Sequence, residues 1–364
     1  SDNITPMMRQ YMSVKGDNPD SILFFRLGDF YEMFFEDAIE ASKILHITLT
    51  SRGKHAGQKI PMCGVPFHSA DNYIARLVKS GRKVAICEQT EAPSPDKKIV
   101  PREVVKIITP GTFIADGQLD SSSNQHIASI IYADGKYGIS YADISTGDFK
   151  TTEIDDQEAL VAEIYKISPS ETLIPEFMKN DSVGANNQSP LQGIKDAGLG
   201  VISYIEDWIF EKNYSAKTIK EHFGIKDLSG YGMTGMSTAV CSSGALIKYL
   251  KDTQKHGLDN ITGISTYNLK NHMTLDWNSH RNLELLHSME DMSRKGTLLE
   301  VLDRTKTHMG RRLLKKWILN PLLDINDINK RLNNVEYFAL NKISRKKVMT
   351  ILETVYDLER LSGK

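Results

Sequence analysis

Cysteine is scarce: the 364 residues hold three, Cys63, Cys87 and Cys241, and none form a C-x-x-C pair. That argues against a disulfide scaffold and against a zinc site and fits a reducing, cytoplasmic setting. No apolar run reaches the ~18 residues of a membrane span, and no signal-peptide pattern opens the chain. The first residue is Ser1 rather than Met, so the start reads as a cut edge. Internal repeats and extended low-complexity tracts are absent. Also missing is any Gly-x-x-x-x-Gly-Lys-Ser/Thr sequence, so no loop of that type is expected to cradle nucleotide phosphates. The nearest glycine-rich text, Gly230-Tyr231-Gly232-Met233-Thr234-Gly235, lacks the following Lys-Ser/Thr and reads as a turn.

What is present is ordinary for a soluble globular protein, with 40% hydrophobic and 25% charged residues and length enough for two or three domains. The charge is unevenly spread. Residues 1–108 carry 15 Lys/Arg against 13 Asp/Glu, residues 109–269 carry 12 against 21, and residues 270–364 carry 18 against 12. The acidic middle should be repelled by a polyanion, whereas the flanking segments are better suited to meet one. For most of these charges a solvated face is the simpler explanation.

Periodicity predicts an α/β segment first. Helices are expected at Pro6 to Lys15, Phe34 to Leu45 and Ala70 to Lys79, and strands at Ser21–Phe25, Ile47–Leu49, Val84–Glu88 and Val104–Ile108. Thr109-Pro110-Gly111 and Ser121-Ser122-Ser123-Asn124 suggest a linker. Asp134-Gly135 between apolar runs predicts a hairpin of 127–132 with 137–143. Strands at Phe149–Ile154, Thr172–Ile174 and Val201–Ile205 and helices at Gln157–Ile167 and Ser237–Lys251 complete a second α/β segment. From Leu283 the pattern is almost all helical, broken at Pro321, with Asp324 to Asp327 capping the next helix.

The most informative stretch is Arg26-Leu27-Gly28-Asp29-Phe30-Tyr31-Glu32. Residues two apart on an extended chain share a face, so Phe30 and Glu32 would be presented together. A ring can wedge against an unstacked base while an acid hydrogen-bonds to it. The bland alternatives are a core phenylalanine and a Glu32–Arg26 ion pair.

These segments resemble the bacterial MutS mismatch-repair family. Thr5-Pro6-Met7-Met8 with Tyr11, the Phe-x-Glu of Phe30 and Glu32, Pro61 to His68, Val84 to Gln89 and Thr109-Pro110-Gly111-Thr112 match in the family's order. So do Thr297 to Leu299, Met309 to Leu314, Trp317, Asn320-Pro321-Leu322 and Asp357 to Leu361, whereas residues 180–200 match poorly. The resemblance implies a multidomain protein. It would have an α/β mismatch-recognition domain (1–110), a linker (111–125), an α/β ribonuclease-H-like connector (126–262) and the first part of an all-α core (263–364).

It implies further that Phe30 stacks on a mispaired base from the minor groove and that Glu32 contacts a base. Arg52, in a polar turn, and Met62, Pro66 and His68, in a loop, are candidate backbone or loop contacts; Arg102, Lys54 and Lys59 are weaker backbone candidates, each most simply solvated. Arg52 as a plain exposed residue and His68 as a loop hydrogen-bonder stay open. The implied partners are mismatched double-stranded DNA, a MutL-type protein at the connector and a second copy in the full-length protein. ATP and Mg belong to an ATPase domain outside this chain, with no cofactor or metal expected within it. Two other readings compete: an interaction module without DNA affinity, and a metal-dependent nuclease using Asp134, Asp143, Asp148 and Asp155. Basic residues Arg311, Arg312, Lys315 and Lys316 form a DNA-facing stripe or, more simply, a solvated helix face.

Proteolysis is expected first in Pro110–Asn124 and around Asn180–Gly200. Without a P-loop the chain should neither bind ATP tightly nor hydrolyse it. Equilibrium nucleotide binding and phosphate release on the purified chain check this; activity that co-purifies with it would contradict the reading.

Overall fold

The computed structural model describes residues 5–55, 58–91, 100–113, 124–179, 198–255, 258–291 and 293–362. Most of 110–124 and 180–200, where early cleavage is expected, lies outside them. The chain divides into two compact units. The first holds the described residues up to Phe113 and those of Tyr249–Leu258; the second holds the rest.

In the first unit, helix α1 (Pro6–Asp17) starts at Thr5, whose hydroxyl accepts from the Met8 amide, with Pro6 in the first turn. Strands β1 (Ser21–Leu27) and β2 (Phe30–Phe34) form a hairpin closed by Gly28-Asp29. Gly28 has φ +59°, a conformation glycine adopts without steric cost. Next come α2 (Phe35–Leu45), β3 (Thr50–His55), β4 (Gln58–Pro66), α3 (Ala70–Lys79), β5 (Lys83–Gln89) and β6 (Arg102–Ile108). The sheet order is β3-β4-β2-β1-β5-β6, with β1 and β5 parallel.

Two cores flank this sheet. Ile22, Phe24, Tyr31, Met33, Cys63, Val65 and Val84 pack with α2 and α3. On the other face Leu23, Phe25, Phe34, Ala85 and Cys87 pack beneath Met8 and Tyr11 of α1. Thr112 and Phe113, assigned by composition to the linker, are buried, and Phe113 belongs to the first core. The expected strand at Ile47–Leu49 is displaced: pairing begins at Thr50. Burial pushes the Cys63 thiol up to about 11 and the Cys87 thiol up to about 12, so both are packing groups.

The second unit builds a mixed sheet from β7 (Ile127–Ala133), β8 (Lys136–Asp143), β9 (Asp148–Ile154), β10 (Glu171–Pro175), β11 (Val201–Ile205) and β12 (Ser265–Thr266). Its order is β11-β10-β7-β8-β9-β12, with β7-β8-β9 an antiparallel meander and β10 and β11 added in parallel. Asp134 and Gly135 both take positive φ in the expected hairpin turn. Helix α4 (Gln157–Ile167) starts at Asp156, which caps Ala159. Helix α5 (Lys212–Phe223), too polar to predict, precedes α6 (Ser237–Gln254). A seam of small polar residues lets α6 approach the sheet, with Ser140 Oγ within 2.6–2.9 Å of the hydroxyls of Thr151, Ser242 and Ser243.

The remainder is mostly helical: α7 (Trp277–Asn282), α8 (Leu298–Leu302), α9 (His308–Leu319), α10 (Ile325–Leu340), α11 (Lys342–Leu352) and α12 (Leu358–Leu361). Pro321 lies between α9 and α10, and Asp324 caps α10 through the Asp327 amide, as predicted. Arg312 is neither a solvated nor a DNA-facing residue. It is buried on α9 and bonds the carboxylates of Asp357 and Glu359. Arg311 pairs with Asp303 at 2.8 Å.

The buried Asp37 ties the first unit together. Its carboxylate accepts from Tyr11 Oη at 3.1 Å, the Leu23 amide at 3.0 Å and Lys15 Nζ at 2.8 Å, joining α1, β1 and α2. Asp37→Ala leaves the buried Leu23 amide without its acceptor and removes the carboxylate partner of Lys15 and Tyr11, and should cost about 3 kcal/mol. The urea midpoint of the purified protein checks this; an unchanged midpoint contradicts it.

Candidate nucleic-acid interface

Strand β2 alternates. Tyr31 and Met33 face the α2–α3 core, while Phe30 and Glu32 face the opposite side. Helix α1 covers that side only over Phe34 and the neighbouring strands, so Phe30 stays 47% exposed while Phe24, Phe25 and Phe34 are fully buried. The aromatic run thus splits into core residues and one exposed ring.

The register with β4 completes the face. Phe30 stands opposite Pro66, Glu32 opposite Gly64 and Phe34 opposite Met62. Gly64 offers no side chain, so the Glu32 carboxylate is open toward β3. Arg52 meets it there. Its Nη1 donates to both carboxylate oxygens, at 2.8 and 2.6 Å. Arg52 was expected in a turn; it lies instead in a β3 bulge with Gly53 at φ +74°. Met62 and Pro66, expected in a loop, lie on β4, and His68 follows in a short 3-10 turn, Phe67–Ser69, where it is exposed. Lys54 and Lys59 are exposed and sit opposite each other at the sheet edge.

The alternative Glu32–Arg26 pair does not form. Arg26 lies 3.8 Å from Glu88 and stacks on Phe67, its guanidinium carbon 3.7 Å from the ring centroid. Phe67 is 45% exposed beside the β2 turn, its amide bonded to the Asp29 carbonyl. It is a surface aromatic that the sequence reading passed over; its place directly after Pro66, where β4 must end, was the available signal.

Arg102, a weaker backbone candidate, is turned inward rather than solvated. It is 9% exposed, and its guanidinium donates to the carbonyls of Arg26 at 2.7 Å and Val100 at 3.0 Å and to Gln10 Oε1 at 3.0 Å. Burial lowers its pKa from the usual arginine value. A basic residue opening a strand looks exposed in sequence, but here it fastens β6 to β1 and α1.

Of the four aspartates weighed for a nuclease, Asp143 and Asp148 stand opposite each other on β8 and β9, whereas Asp134 and Asp155 lie at the other end of these strands. Asp143 is saturated by donors from Asn124, Gln125 and Ser145. Asp148 pairs with Lys150 at 2.6 Å, Asp155 with Lys136 at 3.5 Å, and Asp134 sits in the hairpin turn. Among the described residues no three His, Cys, Asp or Glu side chains gather as a metal set.

Residues 5–117, 125–262 and 278–364 match the family models of MutS domain I, MutS domain II and MutS domain III. The chain belongs to the MutS family. It is 44% identical over 364 residues to the DNA mismatch repair protein MutS of Lachnoclostridium phytofermentans, covering 99% of this chain and 38% of that protein. The MutS of Ruminiclostridium cellulolyticum is 45% identical, with 99% and 41% covered, and that of Alkaliphilus oremlandii 44%, with 99% and 41%. The chain therefore spans about two fifths of the curated MutS relatives it matches. The exposed Phe30–Glu32 face lies in the part matching MutS domain I. No described helix is long and apolar enough to cross a membrane.

Arg102→Gln should lower stability by about 2 kcal/mol, because buried carbonyls lose a charged donor. The salt dependence of DNA binding should not change. Denaturation and a salt titration check both; a slope reduced by about one would restore Arg102 as a phosphate contact.

Proposed function

We propose that this chain is the mismatch-reading portion of a DNA mismatch repair protein. The observation that carries the reading is the half-exposed ring of Phe30, set two residues from Glu32 on the part of the sheet face that α1 leaves uncovered. The chain's similarity to DNA mismatch repair proteins supports the same conclusion.

The chemistry follows from DNA mechanics. A mispair or small loop stacks poorly, so kinking there costs less than in matched duplex, and deformability is read as energy. Phe30 has no polar atom to desolvate and enters from the minor groove as a wedge; unstacking costs roughly a few kcal/mol per step. Glu32 hydrogen-bonds to the exposed base. An ionised carboxylate serves a donor atom, and a protonated one an acceptor such as a purine N7. Met62, Pro66 and His68 border this face, and Arg52 reaches a phosphate, which positions the duplex without reading its sequence.

The remaining roles belong to the whole protein. ATP and Mg act in an ATPase domain outside this chain, which itself catalyses nothing. The acidic residues 109–269 suit a protein partner of the MutL type, and the working form is a cytoplasmic homodimer. The recognition domain runs through Phe113, the connector spans 126–262 and the helical core begins at 263.

Phe30→Ala in the intact protein should weaken mismatch binding by about one to two decades, from ~1–3 kcal/mol of lost stacking. The melting midpoint should hold, because the ring is exposed before binding. Glu32→Ala should keep or raise affinity for matched duplex while discrimination falls. Paired affinities and melting curves test this. A Phe30→Ala protein destabilised by ~3–5 kcal/mol with intact discrimination would sink the assignment.

A further inference from the structure

The partners in the Glu32–Arg52 pair are unequally placed. Glu32 sits on β2, hydrogen-bonded between β1 and β4, and its side chain is 14% exposed. Arg52 sits on the edge strand β3, within a bulge, and its side chain is 49% exposed. The acid is fixed and the base is the movable member. A pair this exposed holds weakly, and a guanidinium binds phosphate as readily as carboxylate. Phosphates brought to this face attract Arg52 and repel Glu32, so both forces pull the pair apart.

We propose that Arg52 is a displaceable counterion and thereby a specificity-determining residue. It covers Glu32 in the DNA-free protein and passes to a backbone phosphate when duplex docks, uncovering the carboxylate only then. This rests on the reading of Phe30 and Glu32 as the mismatch site.

The exchange makes Glu32 discriminating. On a mispair the wedged, opened base supplies a hydrogen-bond partner, and where its atom is an acceptor the carboxyl takes one proton from solvent. On matched duplex the bases remain paired with each other. The uncovered carboxylate then stands near phosphates with nothing to bond, and that penalty falls on matched DNA alone. A pair that stayed closed would be neutral overall and would penalise neither duplex.

The test uses the intact protein with mispaired and matched duplexes of otherwise identical sequence, with affinity followed against salt by fluorescence anisotropy. If Arg52 moves to phosphate, Arg52→Gln lowers the slope of log affinity against log salt by about one on both duplexes, and Glu32→Gln leaves it unchanged. Glu32→Gln should also raise matched-duplex affinity severalfold. If the pair stays closed, the pattern inverts: Arg52→Gln leaves the slope alone and Glu32→Gln, which frees the guanidinium, steepens it by about one. That inverted pattern overturns the proposal while leaving the wedge intact. A Phe30→Ala protein with wild-type discrimination overturns the site reading and this proposal together. Melting curves on each variant confirm that it is folded.

Discussion

The register of β2 is the constraint on which the candidate site depends. The Gly28-Asp29 turn pairs Leu27 with Phe30, and β4 pairs Pro66 with the same residue. Because side chains alternate along a strand, this one alignment sends Tyr31 and Met33 into the core and leaves Phe30 and Glu32 outside. A slip of one residue would bury the acid and expose the core residues. The slip is opposed from both sides: Tyr31 Oη bonds Glu88 on β5, and Tyr11 on α1 bonds the Phe34 carbonyl at 3.2 Å. The site is therefore held by the same packing that stabilises the unit, and a side chain so fixed can apply a wedge without first being ordered.

The electrostatics of the face follow from the same alignment. A carboxylate on a surface that meets phosphates is unfavourable on its own. Gly64 opposite Glu32 and the bulge at Arg52-Gly53 together provide a counterion across an intervening strand. Arg26 and Arg102, equally basic in sequence, are occupied elsewhere: one stacks on Phe67 and the other is buried on backbone carbonyls. Of these three arginines, Arg52 is the one both near the acid and half in solvent.

Elements with strong local signals were legible in the sequence. The Asp134-Gly135 hairpin, the helix Gln157–Ile167 and the cap at Asp324 lie where turn chemistry and periodicity place them. β3 was displaced in the reading because Thr50–His55 is an edge strand exposed along most of its length, with no apolar alternation to detect. β4 was read as a loop because it carries two prolines and a glycine. Phe30 could be told from its aromatic neighbours only through the family pattern, since its exposure depends on how far α1 reaches across the sheet. Arg102 misled for a related reason: sequence gives a charge but not the carbonyls that surround it.

The central claim is that the ring of Phe30 touches the mispaired base itself. Replacing Phe30 with a photo-crosslinking phenylalanine analogue in the intact protein, then mapping adducts on a duplex with one mispair, tests this most directly. The account predicts adducts concentrated at the mispaired position and nearly none on the matched duplex. Adducts spread evenly along both duplexes, or confined to the protein, would contradict it.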